Sequence, residues 1–163
     1  MKMFVTAAAA LFCILPLAAF DRALVPAEFQ AAIFKQLCAD YLPAYRQGTL
    51  VIVSRDGEDA LAKEFSRAGF VVKVVTPEQA VFEDDQILYL PSRLDDRVAA
   101  SLSKRAALVL TDNTKWVRRG LASLGIVVRQ RRADVVAHVG RLEASGAEVG
   151  LGLFRYARVL DGR

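Results

Sequence analysis

Residues 86–113 read QILYLPSRLDDRVAASLSKRAALVLTDN. Two apolar runs, Gln86–Leu90 and Ala106–Thr111, flank a segment in which Asp95 and Asp96 can cap a helix carrying Leu94, Val98 and Leu102. A strand, a short helix and a second strand form a crossover, and a crossover places its two strands parallel in one sheet.

The same alternation extends upstream. Thr49–Ser54 (TLVIVS) and Phe70–Val75 (FVVKVV) are β-branched runs on either side of Gly57–Ala68. That segment places Leu61, Phe65 and Ala68 on one helical face, and Gly69 stops it. An earlier helix is expected to begin near Pro26. Phe29, Ile33, Leu37 and Tyr41 recur in it every four residues as an apolar stripe, and Pro43 and Gly48 close it. Cys38 lies beside Leu37 and is expected to be buried.

Downstream, Asn113 can cap a helix that turns Val117, Leu121 and Leu124 inward and ends at Gly125. Ile126–Gln130 and Asp134–Val139, joined through Arg131-Arg132-Ala133, read as an antiparallel hairpin. Gly140–Gly146 is short and helical or irregular. Leu153, Phe154, Ala157 and Leu160 follow helical spacing and predict a docked terminal helix. The runs LVIV, VVKVV and ALVL suit strands buried on both faces. The expectation is an α/β fold: three layers, α/β/α, with a mostly parallel sheet, a C-terminal antiparallel hairpin and a terminal helix.

Composition narrows the function classes. Of 163 residues, 54% are apolar and 25% charged, too apolar for a disordered chain and too charged for a polytopic membrane protein. Two cysteines make neither a disulfide-stapled miniprotein nor a four-cysteine zinc site. The single histidine, His138, leaves little room for histidine-based metal binding. There is no repeat and no Gly/Ser tract.

Met1–Phe20 (MKMFVTAAAALFCILPLAAF) carries Lys2, then an uncharged apolar run from Phe4 to Leu15, then Pro16 and a small-residue site ending at Ala19. That is the layout of a secretory signal peptide, expected to cover residues 1–19 and to leave one domain over residues 20–163. The alternative is an uncleaved anchor, since the apolar stretch is near the lower limit for a bilayer span. Either reading places the domain on the far side of a membrane. Removing the leader leaves Cys38 unpaired, which keeps an intermolecular bond and a homodimer open.

In an open parallel sheet, ligands bind beyond the strand carboxyl ends. Three strands end in polar clusters: Ser54-Arg55-Asp56, Ser92-Arg93 and Thr111-Asp112-Asn113. Ser54, Asp56, Ser92, Arg93, Asp112 and Asn113 are therefore candidates for one crevice. Such residues also cap helices and shape turns, which is their commoner role. The turn after the first strand holds one glycine amid acids, so it is no phosphate-binding loop. A second candidate surface is basic. Lys115, Arg118, Arg119, Arg129, Arg131 and Arg132 occur with no acid between Thr114 and Ala133. They suit an acidic partner or an anionic membrane surface, or simply a solvated rim. Trp116 inside this run is read as a core side chain that borders it. Nucleic acid would fit the charge but not the export signal. His138 is read as a structural histidine. No catalytic constellation, metal site or cofactor is expected.

The ordered motifs together resemble the YfiR-like family of periplasmic proteins. Val25–Leu37 (VPAEFQAAIFKQL) is similar to its opening helix, and Gly48–Ser54 (GTLVIVS) to its first strand. Ile87–Ser92 (ILYLPS) resembles a strand ending in a small polar residue, and Leu108–Asp112 (LVLTD) one ending in aspartate. Gly125–Gln130, Val135–Val139 (VVAHV), then Ala144-Ser145-Gly146, Val149, Leu153, Phe154, Ala157 and Arg158 follow the family's C-terminal order. The chain departs from the pattern at Leu124-Gly125, where relatives double the glycine, at Val135-Val136-Ala137-His138, and in lacking the paired cysteines of some relatives. The resemblance implies a non-enzymatic periplasmic regulator. It would bind the sensor region of an inner-membrane diguanylate cyclase, or of a histidine kinase, and lower cyclic-di-GMP output and biofilm formation. An OmpA-like outer-membrane lipoprotein would sequester it. The alternative from the residues themselves is a periplasmic small-ligand-binding domain using the crevice. A hydrolase built on Ser54 or Asp112 is a third reading.

Overall fold

A computed structural model describes residues 25–55, 59–129, 132–145 and 152–160. The proposed leader, Asp56, Arg131, Gly146 and Val149 lie outside the described residues. The chain opens with helix α1 (Ala27–Tyr41) and a 3-10 turn (Pro43–Tyr45). Then come β1 (Thr49–Val53), α2 (Asp59–Arg67), β2 (Val71–Val75), β3 (Ile87–Leu90), α3 (Asp96–Ser103), β4 (Leu108–Thr111) and α4 (Thr114–Arg118). It finishes with β5 (Leu124–Arg129), β6 (Arg132–His138), α5 (Val139–Ala144), α6 (Leu153–Tyr156) and β7 (Ala157–Leu160).

The seven strands form one sheet in the order β2-β1-β3-β4-β5-β6-β7. β2, β1, β3, β4 and β5 run parallel; β6 is antiparallel to β5 and parallel to β7. The expected α/β architecture is therefore present, mostly parallel and with its C-terminal hairpin and helix. Two cores flank the sheet. Alternate strand residues Leu50, Ile52, Ile87, Tyr89, Leu108 and Leu110 meet α1 and α2 on one face. Val53, Leu88, Leu90 and Val109 meet α3 and α4 on the other. Phe34, Phe65 and Tyr89 form an aromatic centre in the first core, with centroids of Phe65 and Tyr89 5.3 Å apart. The Tyr89 hydroxyl donates to Gln30, whose amide donates to Val25 O, so the polar groups buried there are satisfied.

Four expectations need correction. Of the stripe Phe29, Ile33, Leu37, Tyr41, Leu37 is buried as expected, but the other three only flank the buried face of α1, which runs through Gln30, Ala31, Phe34, Leu37 and Cys38. A polar Gln30 holds an interior position because its amide is bonded on both sides. The run VVKVV is not buried on both faces. β2 is an edge strand, with Val71 62% and Val74 43% exposed. An edge has one neighbour strand and cannot be covered as an interior strand is. The helix capped by Asn113 is one turn long. It ends at Gly120, whose φ is +69°, and Leu124 and Gly125 already belong to β5. The terminal helix is confined to α6; Ala157 and Leu160 lie on β7, where pairing to β6 outweighs the helical spacing.

Candidate functional site

The connection after β1 runs through α2 on one face of the sheet, and that after β3 through α3 on the other. β1 and β3 therefore diverge at a topological switch, the place where open α/β sheets commonly bind ligands outside the strand carboxyl ends. β1, β3 and β4 end there side by side, with Ile52 opposite Tyr89 and Leu90 opposite Thr111.

The structure brings Ser92 and Asp112 together. The Ser92 backbone N–H donates to Asp112 Oδ1 at 2.6 Å, and Ser92 Oγ donates to Oδ2 at 3.1 Å. Burial pushes the Asp112 carboxyl above the ordinary aspartate range; the Ser92 bonds and the charge of Arg93 pull it back in part. Asn113 plays the capping part. Its Oδ1 accepts the Lys115 N–H at 3.1 Å, and its own N–H donates to Thr111 Oγ1 at 3.0 Å. Thr111 Oγ1 in turn donates to Leu90 O at 2.7 Å, tying β4 to β3. Ser54 is buried, and its N–H donates to Val75 O at 2.9 Å, toward β2 and away from Ser92. Arg93 is exposed beside Asp112. Asp56 lies outside the described residues.

His138 ends β6, two strands across from β4 and level with Val109, since Leu110 pairs with Leu124 and Leu124 with Ala137. It follows Ala137, which pairs with Leu124 at the amino end of β5. Its Nδ1 accepts the Arg141 N–H at 3.2 Å and so caps α5, while its ring lies against Gly120. Neither Ser92 nor Asp112 has this imidazole as a neighbour. Among the described residues no group of metal-ligating side chains is assembled, and no described helix is long and apolar enough to cross a membrane. A cavity of about 380 Å³ lies at the amino ends of β1 and β3, lined by Pro43, Arg46, Gly48 and Asp85 among others. It is remote from Ser92 and Asp112.

Of the basic residues, Lys115, Arg118 and Arg119 are exposed on or just after α4, and Arg132 is exposed at the start of β6. Arg129 ends β5 opposite Arg132 in the hairpin register; its side chain and all of Arg131 lie outside the described set. Trp116, between these cations, is only 1% exposed and belongs to the second core.

Two features escaped the sequence reading. Asp96 is more than a capping residue. Asp95 takes that position, accepting the Arg97 N–H at 2.8 Å. Asp96 instead accepts Trp116 Nε1 at 2.7 Å and Arg119 at 2.5 Å, which joins α3 to α4 and holds its carboxyl below the usual range. Arg141 donates to Ser103 O at 2.7 Å and Ala106 O at 3.2 Å, closing the carboxyl end of α3. Nothing local marks either contact, because each partner is 20 or more residues away. Cys38 is buried and its thiol is pushed up to about 12 by desolvation, so it gives no support to an intermolecular disulfide.

No protein-family model matches the chain, and no curated protein matches it at a significant level.

Proposed function

We propose that this chain is a periplasmic signalling regulator that acts by touching another protein. Its target is the sensor region of an inner-membrane diguanylate cyclase or histidine kinase. Binding the off state of that sensor shifts its equilibrium and lowers cyclic-di-GMP, restraining biofilm formation. An outer-membrane OmpA-like lipoprotein that captures the regulator relieves the block by mass action. The ordered motifs that resemble the YfiR-like family suggest these partners.

The observation that carries the contact-based reading is the placement of the only histidine. His138 caps α5 with its ring against Gly120, while Ser92 and Asp112 are bonded to one another beyond the ends of β3 and β4. A serine nucleophile needs a base within hydrogen-bond reach, and here the imidazole, two strands across from β4, accepts from Arg141 while the Ser92 hydroxyl is bonded to Asp112. Deleting the gene and measuring cyclic-di-GMP tests the proposal. The pool is expected to rise; an unchanged pool with an unchanged kinase output would overturn it.

A second reading is favoured by one observation, the switch between β1 and β3 with a buried carboxyl beside it. In that reading the crevice takes a small polar ligand on Ser92, Arg93 and Asp112. A thermal-shift survey of small metabolites tests it, and a stabilisation abolished by Asp112→Ala would support it.

A further inference from the structure

We infer that the face carrying α4, β6 and β7 is a docking surface for an acidic protein surface. The inference rests on the reading that the chain works by contact, and it names the surface and the chemistry that would meet it.

The argument begins with strand parity. Side chains two residues apart on a strand share a face. On β6, Val136 is buried in the second core, on the side of the sheet that α4 covers. Arg132, four residues away in an unbroken register, lies on that same side. On β7, Arg158 pairs with Val136, and Leu160, two residues further on, packs against the second core. Arg158 thus also lies on the α4 side. It was invisible to a helical reading of the C-terminus. α4 sits directly above: Val117 lies so close to Gly125 that a Cβ there would be 2.6 Å from Val117 Cγ2.

Lys115, Arg118, Arg119, Arg132 and Arg158 are all exposed. Among the described residues, Asp134 is the one carboxylate on α4, β6 and β7, and Asp96 of α3 reaches Arg119. Asp96 is taken by Arg119 and Trp116, and Asp134 lies between Arg132 and Val136 on β6. Five cations drawn from a helix, its C-terminal turn and two strands therefore face two acids. A field of one sign steers and retains a partner of the other sign.

An acidic protein surface fits better than a lipid surface. Peripheral membrane binding combines cations with inserted apolar or aromatic side chains. Among the described residues the exposed large apolar residues are Val71, Val74, Val81, Phe154 and Tyr156, of which Phe154, on α6, is a single side chain just before β7. Val71 and Val74 belong to β2, at the far edge of the sheet, and Val81 to the segment between β2 and β3. Tyr156 stacks on Tyr41 of α1, whose helix covers the opposite face.

The test measures binding of purified protein to fluorescein-labelled poly-L-glutamate by anisotropy. The variant is Arg118→Glu/Arg132→Glu/Arg158→Glu, one reversal on each of α4, β6 and β7. The control is Lys63→Glu/Arg67→Glu/Lys73→Glu on α2 and β2, an equal change in net charge at the other end of the sheet. The first variant is expected to lose at least about tenfold in affinity while the control stays within about twofold. If the first variant does not fold, the neutral Arg118→Gln/Arg158→Gln replaces it, with an expected loss of about threefold. Equal losses in variant and control, or no binding by the wild type, would overturn the inference. So would tighter retention on phosphatidylglycerol vesicles than on polyglutamate at equal anionic charge. Each result is independent of the cyclic-di-GMP measurement, so the surface and the cellular role can fail separately.

Discussion

At Asp112 the carboxyl gains two bonds from Ser92 and still sits above its ordinary range, because burial is the larger effect. A carboxyl raised on folding stabilises the folded state below its unfolded pKa, and that contribution is lost as pH rises through the folded value. Asp112→Asn keeps an acceptor for the Ser92 N–H without the buried charge. It is expected to raise the melting temperature at pH 7, with the gain vanishing below about pH 4, where aspartate is protonated in both states. Melting curves across pH check this. Asp96 has the opposite sign: its contribution is present above the unfolded pKa and lost as pH falls through the folded one. Gly125 is fixed by space and not by backbone angle. Because Val117 Cγ2 is 2.6 Å from where its Cβ would be, Gly125→Ala is expected to destabilise by about 1–3 kcal/mol. Urea unfolding measures this, and adding Val117→Ala should recover part of the loss.

Among the elements, β2 is the least protected. Its outer backbone edge has no neighbour strand, and Val71 and Val74 are exposed along it. Lys73, exposed at the centre of the strand, keeps that edge from pairing with another chain. Lys73→Val makes a five-residue run of valine on an open edge. Self-association is expected, seen as concentration-dependent light scattering at protein concentrations where the wild type is monodisperse. α3 and α4 show a different dependence. Each is short, and each is held by a cap, Asp95 and Asn113, and by the Asp96 link to Trp116. Neither is long enough to be stable alone, so their helicity comes from docking on the sheet.

For the whole molecule, stability is expected to fall from the middle of the sheet outward. β3 and β4 are buried along their whole length between two helical layers. Their amides should exchange with deuterium at least about a hundredfold more slowly than the outward amides of β2 and β7, as local opening of an edge breaks fewer contacts. Comparable protection in β2 and β3 would mean that the β2 edge is covered in solution. Charge is divided at the same scale: the exposed cations of α4, β6 and β7 lie at one end of the sheet and the valine edge at the other.

The class of fold is legible in the sequence. Runs such as LVIV and ILYL alternate with capped amphipathic segments, and apolar period and turn chemistry are local properties. The same sequence also identified Asn113 as a cap and Cys38 as buried. Of the candidate crevice, Ser92 and Asp112 were named together, but their hydrogen bonds follow from the pairing of β3 with β4, which no local pattern encodes. Only tertiary structure decided that VVKVV is an edge, that Ala157–Leu160 is a strand, and that Arg158 shares a face with Arg118 and Arg132. The reason is physical. A side chain's burial and charge environment depend on which distant segment covers it, and Ala157 and Leu160, though helically spaced from Leu153, join a strand because an open edge can satisfy their backbone groups.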